Sequence, residues 1–184
     1  DGTTVNSDAT VSSSLNAGNI KAVYDKAGDH HSSNSNTGGV VGGIAAARNV
    51  YPVIENCINS GDVVTDGMTA GGIVGGAWIS EAAIRSCYSV GAVSCTIEGY
   101  DASDENAGDN YNIGAVIGRC KGTVENCYWL EGKNSSGIGH AGKGVTHAQS
   151  VSSAELQNIA SELGSGFKAA DNGYPALSWQ RVYQ

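Results

Sequence analysis

One block of residues returns three times along this chain, and each return brings the same company. Thr37-Gly38-Gly39-Val40-Val41-Gly42-Gly43 comes back as Ala70-Gly71-Gly72-Ile73-Val74-Gly75-Gly76 and again as Ile113-Gly114-Ala115-Val116-Ile117-Gly118-Arg119. After each copy stands a second block: Ile54-Glu55-Asn56-Cys57, Ile84-Arg85-Ser86-Cys87 and Val124-Glu125-Asn126-Cys127. A third follows at once, as Ile58-Asn59-Ser60-Gly61-Asp62-Val63, Tyr88-Ser89-Val90-Gly91-Ala92-Val93 and Tyr128-Trp129-Leu130-Glu131-Gly132, with an earlier copy in Leu15-Asn16-Ala17-Gly18-Asn19-Ile20. A unit that recurs at this period cannot bury its apolar face alone and has to stack on its neighbours. Cys57 and Cys87 are 30 residues apart, Cys87 and Cys127 are 40. The extra ten fall in the polar stretch 98–112, and residues 25–36 look like a similar insertion one unit earlier. Residues 1–14 hold no clear copy of the preceding blocks, which points to a degenerate edge unit or to an array cut at that place.

Within each block the apolar residues alternate with period two, as strands do. The expected inward ladders are Ile20/Val63/Val93, Val40/Ile73/Val116 and Ile54/Ile84/Val124, each residue lying on its counterpart about 4.8 Å away. No block holds a 3.6-residue period, and the paired glycines would each cost a helix about 1 kcal/mol. Asn56 and Asn126 are candidates for left-handed corners, a conformation Asn tolerates best after Gly. The fold class read from this pattern is all-β, a right-handed parallel β-helix of three to four coils over residues 1–150. Residues 151–184 form a C-terminal helix and aromatic cap within the same domain. There Ser152-Ser153-Ala154-Glu155 fits a capping box ahead of Leu156, Ile159, Ala160 and Leu163, and Gly164 stops the helix. Phe167, Tyr174 and Trp179 then supply bulk to close one raw end of the stack.

Composition agrees with a core of small and β-branched side chains: 40% of residues are apolar, yet only 7% are aromatic, and there are 27 glycines against two prolines. A net charge of −8 repels nucleic acid and anionic membrane, and no apolar stretch approaches the roughly 20 residues that span a bilayer. The chain opens on Asp1-Gly2-Thr3-Thr4 with no initiator Met, as a piece excised or processed from a larger protein would.

Gly71-Gly72-Ile73-Val74-Gly75, taken with Ile54-Glu55-Asn56-Cys57-Ile58-Asn59-Ser60-Gly61, resembles the GLUG repeat of bacterial surface proteins. Such repeats occur in adhesin-like proteins and in the stalks of IgA-specific metallopeptidases. The resemblance covers residues 15–132, and the run from Gly173 to Trp179 is similar to an ending that closes such arrays. It implies a right-handed parallel β-helix at the bacterial cell surface, extracellular, with an adhesive or spacer role. It brings no catalytic residues.

The residues themselves offer little chemistry. The His-Glu-x-x-His arrangement of a zinc peptidase is missing, and His140 and His147 read as exposed loop histidines. His30 and His31 share a polar loop with Asp25 and Asp29; neighbours on a strand point opposite ways, so a shared metal needs a bend there. Asp101, Asp104, Glu105 and Asp109 crowd one insertion, where oxygen ligands can hold calcium, although the EF-hand spacing is not met and a solvated acidic loop is the favoured reading. No other cofactor is expected. Cys57, Cys87 and Cys127 share one repeat position and are expected as a ladder of buried free thiols. Cys95 and Cys120 are expected to face inward as well. Ligand contacts are expected on the two insertions, through Tyr100, Tyr111, His30, His31 and the acidic cluster, with Trp78 a further candidate. The function expected is a non-catalytic module that binds a host protein or glycan. The rivals are a β-helical carbohydrate-active enzyme, which needs converging carboxylates among Asp62, Asp66, Glu81, Glu98, Glu125 and Glu131, and a pure spacer or assembly unit.

Overall fold

The computed structural model describes residues 9–24, 35–45, 50–97, 111–142, 148–171 and 173–181. They form an all-β protein of parallel sheets. The first sheet stacks β1 (Thr10–Ser12), β6 (Val53–Glu55), β11 (Ala83–Ser89), β15 (Thr123–Leu130) and β17 (Ala148–Val151), with β2 (Leu15–Asn16) and β7 (Ile58–Asn59) alongside. The second holds β3 (Ile20–Ala22), β8 (Val63–Thr65) and β12 (Val93–Cys95). The third holds β4 (Asn36–Gly38), β9 (Thr69–Gly71) and β13 (Asn112–Gly114). The fourth holds β5 (Val41–Ile44), β10 (Val74–Ala77), β14 (Ile117–Cys120) and β16 (Ile138–Ala141). The first three layers visit the four sheets in the same order, and every pairing within them is parallel.

The register reproduces the repeat alignment. Ile54 pairs with Ile84 and Ile84 with Val124, Ile20 with Val63 and Val63 with Val93. Val40 donates its N–H to Ile73 and Ile73 to Val116, at 3.1 and 2.8 Å. Cys87 lies opposite Cys127 despite the 40-residue interval, so the longer unit takes up its extra length between strands. Of the two readings of residues 1–14, the described residues fit the degenerate edge unit. Thr10-Val11-Ser12 pairs with Val53-Ile54-Glu55 and Leu15 with Ile58, so a degenerate copy of the second block is present, with Ser14 where its successors carry Cys. The copy escaped notice because its only large apolar residue is Val11.

The same offset explains the corners. Asn56 and Asn126 have φ of 53° and 48°, as expected, but Ser13 and Ser86 take the equivalent positions with φ of 52° each. The corner is set by the fold and is imposed on serine at about 1 kcal/mol. The glycine blocks have a different cause. At these glycines the third and fourth sheets come within backbone contact of each other. A Cβ on Gly71 would lie 2.0 Å from the Val74 carbonyl oxygen, and one on Gly75 would lie 2.7 Å from the Thr37 nitrogen. Ile54, Ile84, Val124, Ile73, Val74, Val116, Ile117 and four cysteines then fill the space between the first and fourth sheets. Val63, Ala70 and Val93 fill a smaller core between the second and third.

The C-terminal segment departs from expectation in two ways. The capping box is present, with the Glu155 N–H donating to Ser152 Oγ and the Ser152 N–H to the Glu155 carboxylate, but the helix is broken into α1 (Ser153–Leu156) and α2 (Ala160–Leu163). Asn158 breaks it: its backbone N–H turns to Glu155 and its side chain donates to the Ala154 carbonyl at 2.7 Å, local bonds that compete with the helical ladder. The second departure is larger. The segment does not lie across an end of the stack; it runs down the flank of the first sheet. Ile58, Tyr88 and Tyr128 form an outward apolar column there, and Leu156, Ile159, Leu163, Phe167 and Leu177 cover it. Tyr128 donates to Glu162 and Tyr88 to the Pro175 carbonyl, at 3.2 and 2.6 Å. The Trp179 indole N–H reaches the Ser13 carbonyl at 2.9 Å. The tail thus starts at the last layer and ends on the first, closed by the antiparallel pair β18 (Phe167–Lys168) and β19 (Ala176–Leu177).

Gly75→Ala is expected to cost about 3 kcal/mol in urea unfolding, because backbone must part to admit the methyl group. Gly43→Ala, where a Cβ finds its nearest neighbour at 3.4 Å, should stay within about 0.5 kcal/mol. Leu177→Ala, fully buried in the tail, should cost about 2–5 kcal/mol.

Candidate recognition site

Both insertions leave the stack at the same corner, where the second sheet passes to the third. In the second layer that passage is the short turn Asp66-Gly67-Met68 between β8 and β9. In the layers on either side of it, β3 and β4 are separated by residues 23–35 and β12 and β13 by residues 96–111. The bases of both insertions are fastened to the short turn. Asp66 accepts from the Tyr24 N–H at 2.8 Å, and the Met68 N–H donates to Ser35 Oγ at 2.9 Å. On the other side the Asn112 N–H donates to the Met68 carbonyl at 2.7 Å and the Cys95 thiol to that of Gly67 at 3.3 Å. Gly67 is required: a Cβ there would sit 2.7 Å from both Ser35 and the Tyr24 ring. Two layers separate the insertions, about 10 Å of stack.

Beside this corner, on the fourth sheet, lies an open cleft of about 590 Å³ lined by Asn36, Gly43, Ile44, Ala45 and Trp78. Its shape follows from one column of the repeat. Gly43, Gly76, Arg119 and His140 are in register, so the column has no side chains in its first two layers and large ones in its last two. Trp78 fills the step between them. The Arg119 guanidinium lies over the ring, 4.7 Å from its centroid, an attraction between cation and aromatic face. The indole N–H donates to Asn36 Oδ1 at 3.2 Å. The other lining residues, Gly43 to Ala45, belong to the first layer, so the indole forms the wall between that layer and the arginine. The cleft therefore has an aromatic wall with an amide at its edge, a glycine floor and a cation on the ring's face.

Of the residues expected to bind, Tyr111 is half-buried at the base of the second insertion and Trp78 is half-buried in the cleft wall. Tyr100, Asp101, Asp104, Glu105, Asp109, His30 and His31 lie outside the described residues, as does His147. His140 is not a loop residue: it stands on the edge strand β16, opposite Arg119. Asn36 and Arg119 were not singled out from the sequence. The signal for Arg119 lay in the repeat itself, since it replaces the last glycine of the block.

Of the candidate carboxylates, Glu98 lies outside the described residues, and two others serve the stack. Asp62 accepts the Ala92 N–H at 2.8 Å and Asp66 that of Tyr24, so both staple one layer to another. Glu55 pairs with Arg85 at 2.8 Å on the exposed face. The thiols do stack. Cys57, Cys87 and Cys127 are buried and free, each donating to the carbonyl two residues earlier at 3.2 Å. Burial pushes the Cys87 thiol up, helped by its two sulfur neighbours. Burial likewise raises the Cys120 thiol, to about 11.

Compared with known protein families, with curated proteins and with solved structures, the chain matches none.

Thiols that hold their protons more tightly when folded stabilise the fold fully below the unfolded thiol value of 9.0 and lose that contribution as pH rises toward the folded value of about 11. Stability is therefore expected to fall between pH 9 and 11 by about 2 kcal/mol from Cys120 alone. Urea midpoints across that window should decline less steeply in Cys120→Ala than in the parent.

Proposed function

We propose that this chain is a right-handed parallel β-helix of the GLUG-repeat kind, exposed on a bacterial cell surface, and that it is a non-catalytic module that binds a host protein or glycan. The observation that carries the reading is the shared corner: in the layers flanking one short turn the chain between strands is lengthened, and the described bases of both long passages are bonded to that turn. Loops raised on a rigid scaffold are where recognition concentrates, and solenoids accept insertions on one face for that purpose. The handedness follows from the general rule for parallel crossovers. The membership rests on the Gly-Gly-Ile-Val-Gly and Glu-Asn-Cys blocks at their repeat spacing.

The test replaces residues 96–111, which join β12 to β13, with the short passage the second layer already uses, Asp-Gly-Met. The thermal midpoint should stay within about 2 °C, because loop length enters stability only weakly. Binding to arrays of extracellular-matrix proteins and mammalian glycans should fall at least tenfold. Full binding by the shortened chain would remove the corner from the reading. Product release from any polysaccharide in a parallel screen would replace a binding module with an enzyme.

A further inference from the structure

Apolar surface on this molecule is gathered at one end. The large apolar side chains left exposed among the described residues are Leu15, Val23, Tyr51 and Trp179, at 37, 69, 43 and 59%. Leu15 and Val23 belong to the first layer. Trp179 is bonded to Ser13 of that layer, and Tyr51 lies in the segment that closes it. The inward residues of the same layer are only half-covered. Val11, Ile20, Val40 and Val41 are partly exposed, whereas their counterparts Ile54, Val63, Ile73 and Val74 are 3% exposed or less. On that side no strand lies beside β1, β3, β4 or β5 among the described residues. The opposite end is finished differently. Its last layer has no strand in the second or third sheet. Asn134 takes the vacant place in the second, accepting from the Val93 N–H at 2.8 Å and donating to the Gly91 carbonyl at 3.1 Å. Ser136 and Gly137 accept the N–H groups of Ala115 and Val116.

We infer that the first layer is a docking surface, and that its partner is one further parallel coil carrying strands in all four sheets. The interface would continue one the molecule already makes between its layers, with Val11, Ile20, Val40 and Val41 each receiving an apolar counterpart about 4.8 Å away. Open edges with apolar flanks are otherwise a route to unwanted pairing. A second copy of this chain stacked head to tail is a poorer fit, because its last layer offers nothing to β3 and β4. The inference depends on the stacking alone, and loss of the proposed ligand-binding role would leave it standing.

The experiment inserts a duplicate of residues 53–82, one complete coil, between Ala9 and Thr10 of the full chain. The thermal midpoint should rise by about 5 °C, as added repeats do in stacked arrays. Amide exchange in β3 and β5 should slow about tenfold. Leu15→Lys should be tolerated in the parent chain but erase the gain in the extended one. A second version joins the coil through a ten-residue Gly-Ser linker, so that a faulty junction cannot decide the result. If neither version protects β3 and β5, the inference is overturned. It is overturned as well if sedimentation of the parent chain shows a dimer that Leu15→Lys and Val23→Lys dissolve, since the end would then seat a second copy.

Discussion

Each layer of this protein is held by its likeness to the next. Parallel pairing sets Ile54 on Ile84 on Val124, and Cys87 on Cys127, with both side chains of a pair leaving the sheet in the same direction. Two consequences follow from that constraint. Interior columns must be filled by side chains that pack on their own kind, which small and β-branched residues and thiols do. Every departure from the repeat must be placed outside the columns. The insertions obey this by leaving at a corner, and the Asp66-Gly67-Met68 turn between them is short enough to anchor both.

The glycine blocks are the second requirement. They are not hinges. They let two sheets approach until carbonyl oxygens occupy the space a Cβ would take. This removes a side-chain layer from the cross-section and leaves one apolar core on either side of a thin seam. The exception is instructive. Gly43 has room for a methyl group, so packing does not demand glycine there, and the cleft beside Trp78 opens at that residue.

Much of this was written in the repeat. The three ladders, the thiol column and the asparagine corners follow from aligning copies, because register in a stack is the alignment. What could not be read this way has a common cause: it depends on contacts between unlike segments. The tail's amphipathic pattern announced an apolar surface to cover, but not that the surface was the outward column of Ile58, Tyr88 and Tyr128. Nor did it show that Asn158 would divide the helix. The first copy was hidden because Ser14 replaces the cysteine that marks its successors and Val11 is its only large apolar residue. Of the candidate site, the corner was legible from the loop lengths, whereas the meeting of Trp78, Arg119 and Asn36 needed three different layers to be superposed.

The returning tail has a mechanical meaning. Because Trp179 is fastened to Ser13, the polypeptide enters and leaves the stack at one end. A pull on Trp179 away from Ser13 would therefore load the tail's contacts along the flank before the stacked sheets bear any of it.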